Sequence, residues 1–299
     1  MQRITPKNKE HWLQLRAQDI TSTEVSALFG ISPYMTKLEL WHSKRDRDIT
    51  TIKENERMKW GTRLETAIAK GVAEDEGWVV EPLKDYIRDE EHRIGSSFDF
   101  AIGDDGILEI KNVDGLAFRD GWTVDDEGNI EAPPHIELQV QHQMLVSGRS
   151  FAYIAALVGG NRVALIERKP DAQIFNAILD KVGSFWNSVE TNTPPAVDYE
   201  RDAELLIALA QDADADKTIE PNDHIDALAI TYRDISDEIK ELEIQKKSIK
   251  AQILEKIGDA SKVKGERYTV SAGMTKESRV EAFTRHPFRN FRINWKKEK

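Results

Sequence analysis

The stretch from Gly95 to Val113 constrains this chain more than any other. Two apolar runs, Gly95 to Ile102 and Ile107 to Val113, are separated by Gly103-Asp104-Asp105-Gly106. Apolar runs joined by a short Gly/Asp turn predict a β-hairpin, because those residues adopt the backbone angles that close two antiparallel strands. The surrounding text reads as the rest of a layered core. Thr62 to Glu76, between Gly61 and Gly77, predicts a helix with the stripe Leu64, Ile68 and Val72 and with Glu65 beside it. Trp78-Val79-Val80 reads as a strand and Ile136 to Val146 as a helix. Phe151 to Val158 and Arg162 to Glu167 form a second hairpin turning at Gly159-Gly160-Asn161, and a helix carrying Ile174, Ile178, Val182, Phe185 and Val189 follows.

Near the start, one helix carries Trp12, Leu15 and Arg16. A second opens at Thr21-Ser22-Thr23-Glu24, which has capping-box form with Thr21 as N-cap, and closes at Gly30. Helices around a mixed sheet of four or five strands predict an α/β or α+β class. Composition shifts once, at Thr191-Asn192-Thr193-Pro194-Pro195, which sets the expected division into residues 1–195 and a charged, helical region, 196–299.

Absences narrow the chemistry. The 299 residues include no cysteine, which excludes disulfide frameworks, Cys-ligated zinc, iron-sulfur clusters and thiol nucleophiles, and fits a reducing cytoplasm. No run of 18 apolar residues occurs and the N-terminus lacks a signal-type core, so a soluble, unexported protein without membrane contact is expected. The formal charge of -11 argues against coating DNA by bulk attraction but suits a nuclease holding metal ions with carboxylates. No Walker-type loop is present. His135 and His142 have no ligand spacing and read as surface or packing residues.

On the first hairpin, Asp99 lies on one strand and Glu109-Ile110-Lys111 on the other. Residues two apart on a strand share a face, so Glu109 and Lys111 point the same way, and the turn brings Asp99 alongside. Two carboxylates beside an ammonium suit Mg²⁺ and a phosphate, with Lys111 able to orient or deprotonate an attacking water if burial and the cation lower its pKa. Glu167-Arg168-Lys169 and Glu238-Ile239-Lys240 repeat the Glu-x-Lys spacing, but neither has an aspartate across a hairpin turn. Phe98 and Phe100 beside the aspartate read as core rather than base-stacking residues.

Several motifs stand in a familiar order: Leu15-Arg16, Ile20 to Val25, Trp60-Gly61 with Glu65, Gly95-Ser96-Ser97-Phe98-Asp99, Leu108-Glu109-Ile110-Lys111 and Gln139-Val140-Gln141. Over roughly residues 8 to 190 the chain resembles the YqaJ-type viral recombinases, which include lambda exonuclease within the PD-(D/E)XK nuclease superfamily. The resemblance implies a restriction-endonuclease-like core. In it, Asp99, Glu109, the carbonyl of Ile110 and Glu65 serve the metal, Lys111 is the catalytic lysine, and Gln139 completes the site. It also implies that Arg16, Thr23 and Ser97 hold a terminal 5′ phosphate. Thr23 in the first turn of a capped helix and a nearby arginine suit an anion independently, although a surface salt bridge and a plain cap account for the same residues. The family usually reads Ser-Pro-Asp-Gly where this chain has Ser97-Phe98-Asp99-Phe100, which places the setting of the aspartate in question.

Downstream, Ile225, Leu228, Tyr232, Ile235, Ile239, Leu242, Ile249 and Ile253 follow three-four spacing, interrupted by Lys246. This is a coiled-coil seam on a helix of roughly 50 Å. Its partner is either the Asp202 to Gln211 helix or the preceding domain, or else another copy or another protein. Gly265 to Val270 reads as a strand. The tail Phe288 to Lys297 alternates aromatics with cations, as a DNA-contacting strand or a half-buried strand does.

The resemblance implies an enzyme that takes Mg²⁺, with Mn²⁺ as a substitute and two ions in the site. It would digest linear double-stranded DNA from its ends 5′ to 3′ by in-line attack of water, leaving 3′ single strands for an annealing protein. It further implies a ring-shaped trimer encoded by a phage or prophage and working in the cytoplasm of a bacterial host. A nuclease-derived scaffold that binds DNA ends without cutting, and an endonuclease of the same superfamily, are the rival expectations.

Overall fold

The structure, a computed structural model, describes residues 1–47, 55–210 and 217–276. The chain forms two compact units, Met1–Leu206 and a second beginning at Ile207. The first therefore runs past Pro194-Pro195. Asp202 is buried, and Arg201 donates from Nη2 to the Ser32 carbonyl at 2.6 Å and from Nη1 to the Gly30 carbonyl at 3.3 Å, tying this segment back to the N-terminal part of the unit.

In chain order the first unit contains β1 (Gln2–Ile4), α1 (Lys9–Arg16), β2 (Ile20–Thr21), α2 (Val25–Leu28), α3 (Lys37–Arg45), α4 (Glu56–Glu76), β3 (Val80–Pro82), β4 (Tyr86–Asp89), β5 (Ile94–Ser96), β6 (Phe100–Ile102) and β7 (Gly106–Val113). It continues through α5 (Gly115–Gly121), β8 (Thr123–Val124), β9 (Ile130–Glu131), α6 (Pro134–Ser147), β10 (Phe151–Val158), β11 (Arg162–Arg168) and α7 (Ala172–Glu190). Then α8 (Ala203–Leu209) spans the division, and α9 (Asp223–Ile257), β12 (Lys262–Lys264) and β13 (Thr269–Ser271) follow.

The expected α/β architecture is present, with two principal mixed sheets instead of one. Five strands run in the order β11-β10-β7-β6-β3, with β10 parallel to β7 and the other pairs antiparallel. Four shorter strands run β1-β4-β5-β2, with β2 parallel to β5. The predicted strand Gly95 to Ile102 is broken between them, since β5 belongs to the smaller sheet and β6 to the larger. Phe98 and Phe100 explain the break. Side chains two apart on one strand share a face, yet Phe98 packs in one core cluster and Phe100 in the other, so no single straight strand serves both.

Those two clusters cover the two faces of β7. Leu108 and Ile110 pack with Ile68, Ala69 and Val72 of α4, while Ile107 and Val113 join the larger core formed with α6 and α7. Each fully buried aliphatic side chain contributes about 1.5 to 3 kcal/mol. α4 begins at Glu56 rather than Thr62, because the Asn55 side chain caps Met58 N–H at 2.9 Å and Gly61 lies inside the helix. After Gly77 (φ +69°) Trp78 N–H still bonds back to Ala73, which delays the strand to Val80. Across the smaller sheet a side chain at Gly95 would collide with the Tyr86 phenol and the Asp19 carboxylate, so only glycine lets these strands close.

The helix expected from Thr21 is also different. Thr21 ends β2, and α2 is a four-residue helix whose N-cap, Glu24, makes no side-chain cap bond. Half of the predicted box forms, with Glu24 Oε2 accepting Thr21 N–H at 2.9 Å. In the second unit β12 and β13 pair as a hairpin in place of the single strand expected at Gly265 to Val270. The aromatic-basic tail lies outside the described residues.

Candidate active site

β7 lies between β6 and β10, but its pairing with β6 stops at Leu108 opposite Phe100. The next residues therefore face the break in which Asp99 sits. Asp99 Oδ2 takes over the missing ladder bond, accepting Ile110 N–H at 2.8 Å. The N–H and C=O of one strand residue point to the same edge, so the Ile110 carbonyl also faces the Asp99 side. One residue to either side, Glu109 and Lys111 share the opposite face from the Ile110 side chain.

Glu109 is buried, and three donors hold it. Lys111 Nζ lies 2.6 Å from Oε1, Gln139 Nε2 donates to Oε1 at 2.6 Å, and Gln143 Nε2 donates to Oε2 at 2.7 Å. Lys111 also donates to Gln139 Oε1 at 3.0 Å. Gln139 and Gln143 are one turn apart on α6 and so present one face to β7. Gln143 reaches the Ser97 carbonyl as well, at 3.3 Å, linking Glu109 to the segment carrying Asp99.

The charges are frustrated. Burial first, and then the neighbouring Glu109 carboxylate, push the Asp99 carboxyl well above its ordinary range, with Lys111 opposing. Burial and Glu109 push Glu65, on α4, upward in the same way. For Lys111, burial alone works downward, but Glu109 and Asp99 outweigh it and hold the ammonium above the usual lysine value. Burial by itself thus does not lower the lysine pKa: with the two carboxylates as neighbours Lys111 is held as an ammonium. Glu65, Ser97 and Asp99 line an open cleft of about 310 Å³ together with Trp12, Phe98 and Phe100.

Trp12 connects the second group of sequence candidates to the first. Its Nε1 donates to Ser97 Oγ at 2.8 Å, and the Arg16 guanidinium lies 4.7 Å from its ring centroid. Arg16 Nη2 donates to Thr23 Oγ1 at 3.2 Å and lies 3.9 Å from Glu24. Arg16, Thr23 and Ser97 are therefore neighbours through Trp12. The helix-terminus argument for Thr23 fails, because Thr23 stands in the turn before α2 rather than in a helical first turn. Beneath them Lys44 Nζ pairs with Glu24 at 2.8 Å and donates to the Arg16 carbonyl at 2.8 Å. Burial works to raise Glu24, but Lys44 and Arg16 prevail and hold it below its ordinary range; burial lowers Lys44 despite Glu24.

Sequence reasoning missed Trp12 as a connector, Gln143, and the Lys44–Glu24 pair. Gln143 alone left a trace, being one turn from Gln139. Gln141 turns away, donating to the Lys169 carbonyl and accepting from Asp171 N–H. His142 is fully buried, bonded to Ser96 Oγ at 3.0 Å and to the Ile20 carbonyl at 3.1 Å, and its burial lowers its pKa to about 4. It is the packing residue expected. His135 lies edge-on to Tyr34 beside the site. Phe98 and Phe100 are core, as expected.

The sheet break, the paired carboxylates and the lysine all lie between residues 11 and 150. Residues 11–150 match the family model described as the YqaJ-like viral recombinase domain, so the likeness to YqaJ-type recombinases holds. The chain is 28% identical over 264 residues to the uncharacterized protein YqaJ of Bacillus subtilis (strain 168), covering 85% of this chain and 79% of that one. Its fold matches an alkaline exonuclease (LHK-Exo) from Laribacter hongkongensis, with a TM-score of 0.52 and 20% identity over 67% of this chain and 100% of that one. The same exonuclease in complex with dAMP matches with a TM-score of 0.52, 19% identity and the same coverage. Among the described residues no helix is long and apolar enough to cross a membrane.

Proposed function

We propose that this chain is a divalent-cation-dependent deoxyribonuclease of the phage-recombination type, which enters linear duplex at an end and digests one strand 5′ to 3′, leaving a 3′ single strand for an annealing protein. The observation that carries the reading is the gathering of Asp99, Glu109, Lys111 and Gln139 at the point where the β6–β7 ladder stops.

The donor set fits a hard cation. Asp99 and Glu109 offer carboxylate oxygens, the Ile110 carbonyl faces the same edge, and the buried Gln143 Oε1 has no hydrogen-bond partner among the described residues. Among the described residues no three His, Asp or Glu side chains gather closely enough to form a cage; the two carboxylates are the kind of ligand Mg²⁺ takes, since that ion keeps several waters and uses one or two carboxylates. Glu65 would support the site from α4. A bound cation supplies charge against the phosphodiester and acidifies water. Lys111, held as an ammonium, donates to a phosphate oxygen or to the attacking water. Gln139 and Gln143 fix Glu109. Arg16, Thr23 and Ser97 would take a terminal 5′ phosphate, and Trp12 fixes their spacing to Asp99. Two ions, a Mn²⁺ substitute, a trimeric assembly and cytoplasmic work in a bacterial host are parts of the same reading.

The test is a gel assay on end-labelled linear duplex with Mg²⁺ and with chelator. Expected is cation-dependent loss of 5′ label before 3′ label and no attack on closed circles. Attack on circles would favour an endonuclease, and no cutting at all would refute the reading.

The three donors around Glu109 favour one alternative, a scaffold that binds DNA ends without cutting. Mg²⁺ at a hundredfold excess over its Kd stabilises a competent site by about 2.7 kcal/mol. Thermal unfolding should show that gain in the parent and lose it in Asp99→Asn, whereas a scaffold shows no gain in either.

A further inference from the structure

The long helix α9 turns its apolar residues to solvent. Leu228, Ile235, Ile239, Leu242 and Ile249 are each more than half exposed, along one side of a 35-residue helix. A helix in water owes most of its stability to packing such a face, so the stripe requires a partner.

Charge indicates which. From Asp223 to Glu243 the helix carries seven acidic and two basic side chains, and from Ile244 to Ile257 four basic and one acidic. Acid near a helix N-terminus and base near its C-terminus complement the macrodipole, but that effect falls off within the first and last turns. Here the segregation fills both halves. Two such helices side by side in parallel would set acid on acid, with Glu238 against Glu243 at the flanks of the seam. Side by side in opposite directions, the acidic half of each meets the basic half of the other.

We propose that two copies of this chain pair through α9 as an antiparallel coiled coil. The heptad spacing then sets the register. Leu228 lies opposite Ile253 of the second copy and Ile239 opposite Leu242. Lys246, the polar interruption of the seam, lies opposite Ile235, within one turn of Asp234 and Glu238. A lysine at such a position is tolerated because its stem packs while its ammonium reaches a carboxylate at the rim.

The chain has no cysteine, so introduced ones report unambiguously. Full-length Leu228→Cys and Ile253→Cys chains, distinguished by tags of different size, are expressed separately and together, then oxidised. Expected is a disulfide-linked band at the summed mass only on co-expression, lost when Lys246→Glu and Lys247→Glu are added to both chains. Linkage within each variant alone means a parallel seam and overturns the proposal. No linkage in any combination means another surface covers the helix and overturns it too. Because the readout is crosslinking, it stands apart from any DNA cleavage and from assembly through the first unit.

Discussion

Two charged clusters lie a single tryptophan apart in the first unit, and their electrostatics are opposite. Around Glu24 the account closes, since Lys44 and Arg16 hold its carboxylate below the ordinary range despite burial. Around Glu109 it stays open, because Asp99 and Glu65 are both pushed upward although Lys111 is at hand. A buried carboxylate with enough cations nearby makes a structural ion pair, whereas a surplus of carboxylates makes a site that gains from a further positive charge. The first cluster is thus of the structural kind, and the second has the charge surplus that the proposed cation site calls for.

Four outcomes break or sharpen that contrast, taken from the largest. Lys111→Ala should lower cleavage of linear duplex by about 10²- to 10⁴-fold, the range for loss of a positioned proton donor. It also takes the cation from buried Glu109, so the circular-dichroism melt should fall as well, but by less than in Lys44→Ala because Gln139 and Gln143 still donate to that carboxylate. A loss of stability as large as that of Lys44→Ala would make the open cluster a structural one. Lys44→Ala should weigh on stability first. It strands Glu24 in a buried place, so denaturant unfolding should show a loss of about 3 to 5 kcal/mol. Stability within error of the parent would show that Glu24 needs no such support.

His142 packs between the clusters and supplies the pH test. Its folded pKa of about 4 lies below the unfolded value of 6.5, so the unfolded chain binds the proton first. Stability from this group is full above pH 6.5 and is lost as pH falls toward 4, by about 3 kcal/mol in all. Urea midpoints measured across that window should flatten in His142→Gln relative to the parent; equal slopes would remove His142 as the cause. The smallest effect belongs to Arg16→Ala, which forfeits a charge-assisted bond of about 1.5 to 3 kcal/mol. It should reduce the rate advantage of 5′-phosphorylated over 5′-hydroxyl ends by roughly 10- to 150-fold, read from initial rates on the two duplexes. Equal slowing on both would assign Arg16 to the support cluster alone.

The hairpin, the Glu109/Lys111 face and the second hairpin were legible because each rests on alternation or a turn within a few residues. The break at Ser97 to Asp99 was not, since a run of strand-forming residues carries no mark of where one sheet hands over to another. Gln139 became a candidate only through resemblance, and Trp12 to Ser97 or Lys44 to Glu24 are contacts between segments that local patterns cannot pair. The helix cap at Thr21 failed for a related reason: its motif was right, but Thr21 was claimed by a strand pairing with Gly95.

Alone, then, the order of residues determined the α/β class, the strand that carries Glu109 and Lys111, and the amphipathic length of α9, because these depend on periods of two and of three to four along the chain. Tertiary structure decided that Asp99 replaces a missing ladder bond, that three donors converge on Glu109, and that Trp12 ties Arg16 to Ser97. Those are outcomes of which distant segments share one buried volume, where the energy of each charge is set by neighbours far away in sequence.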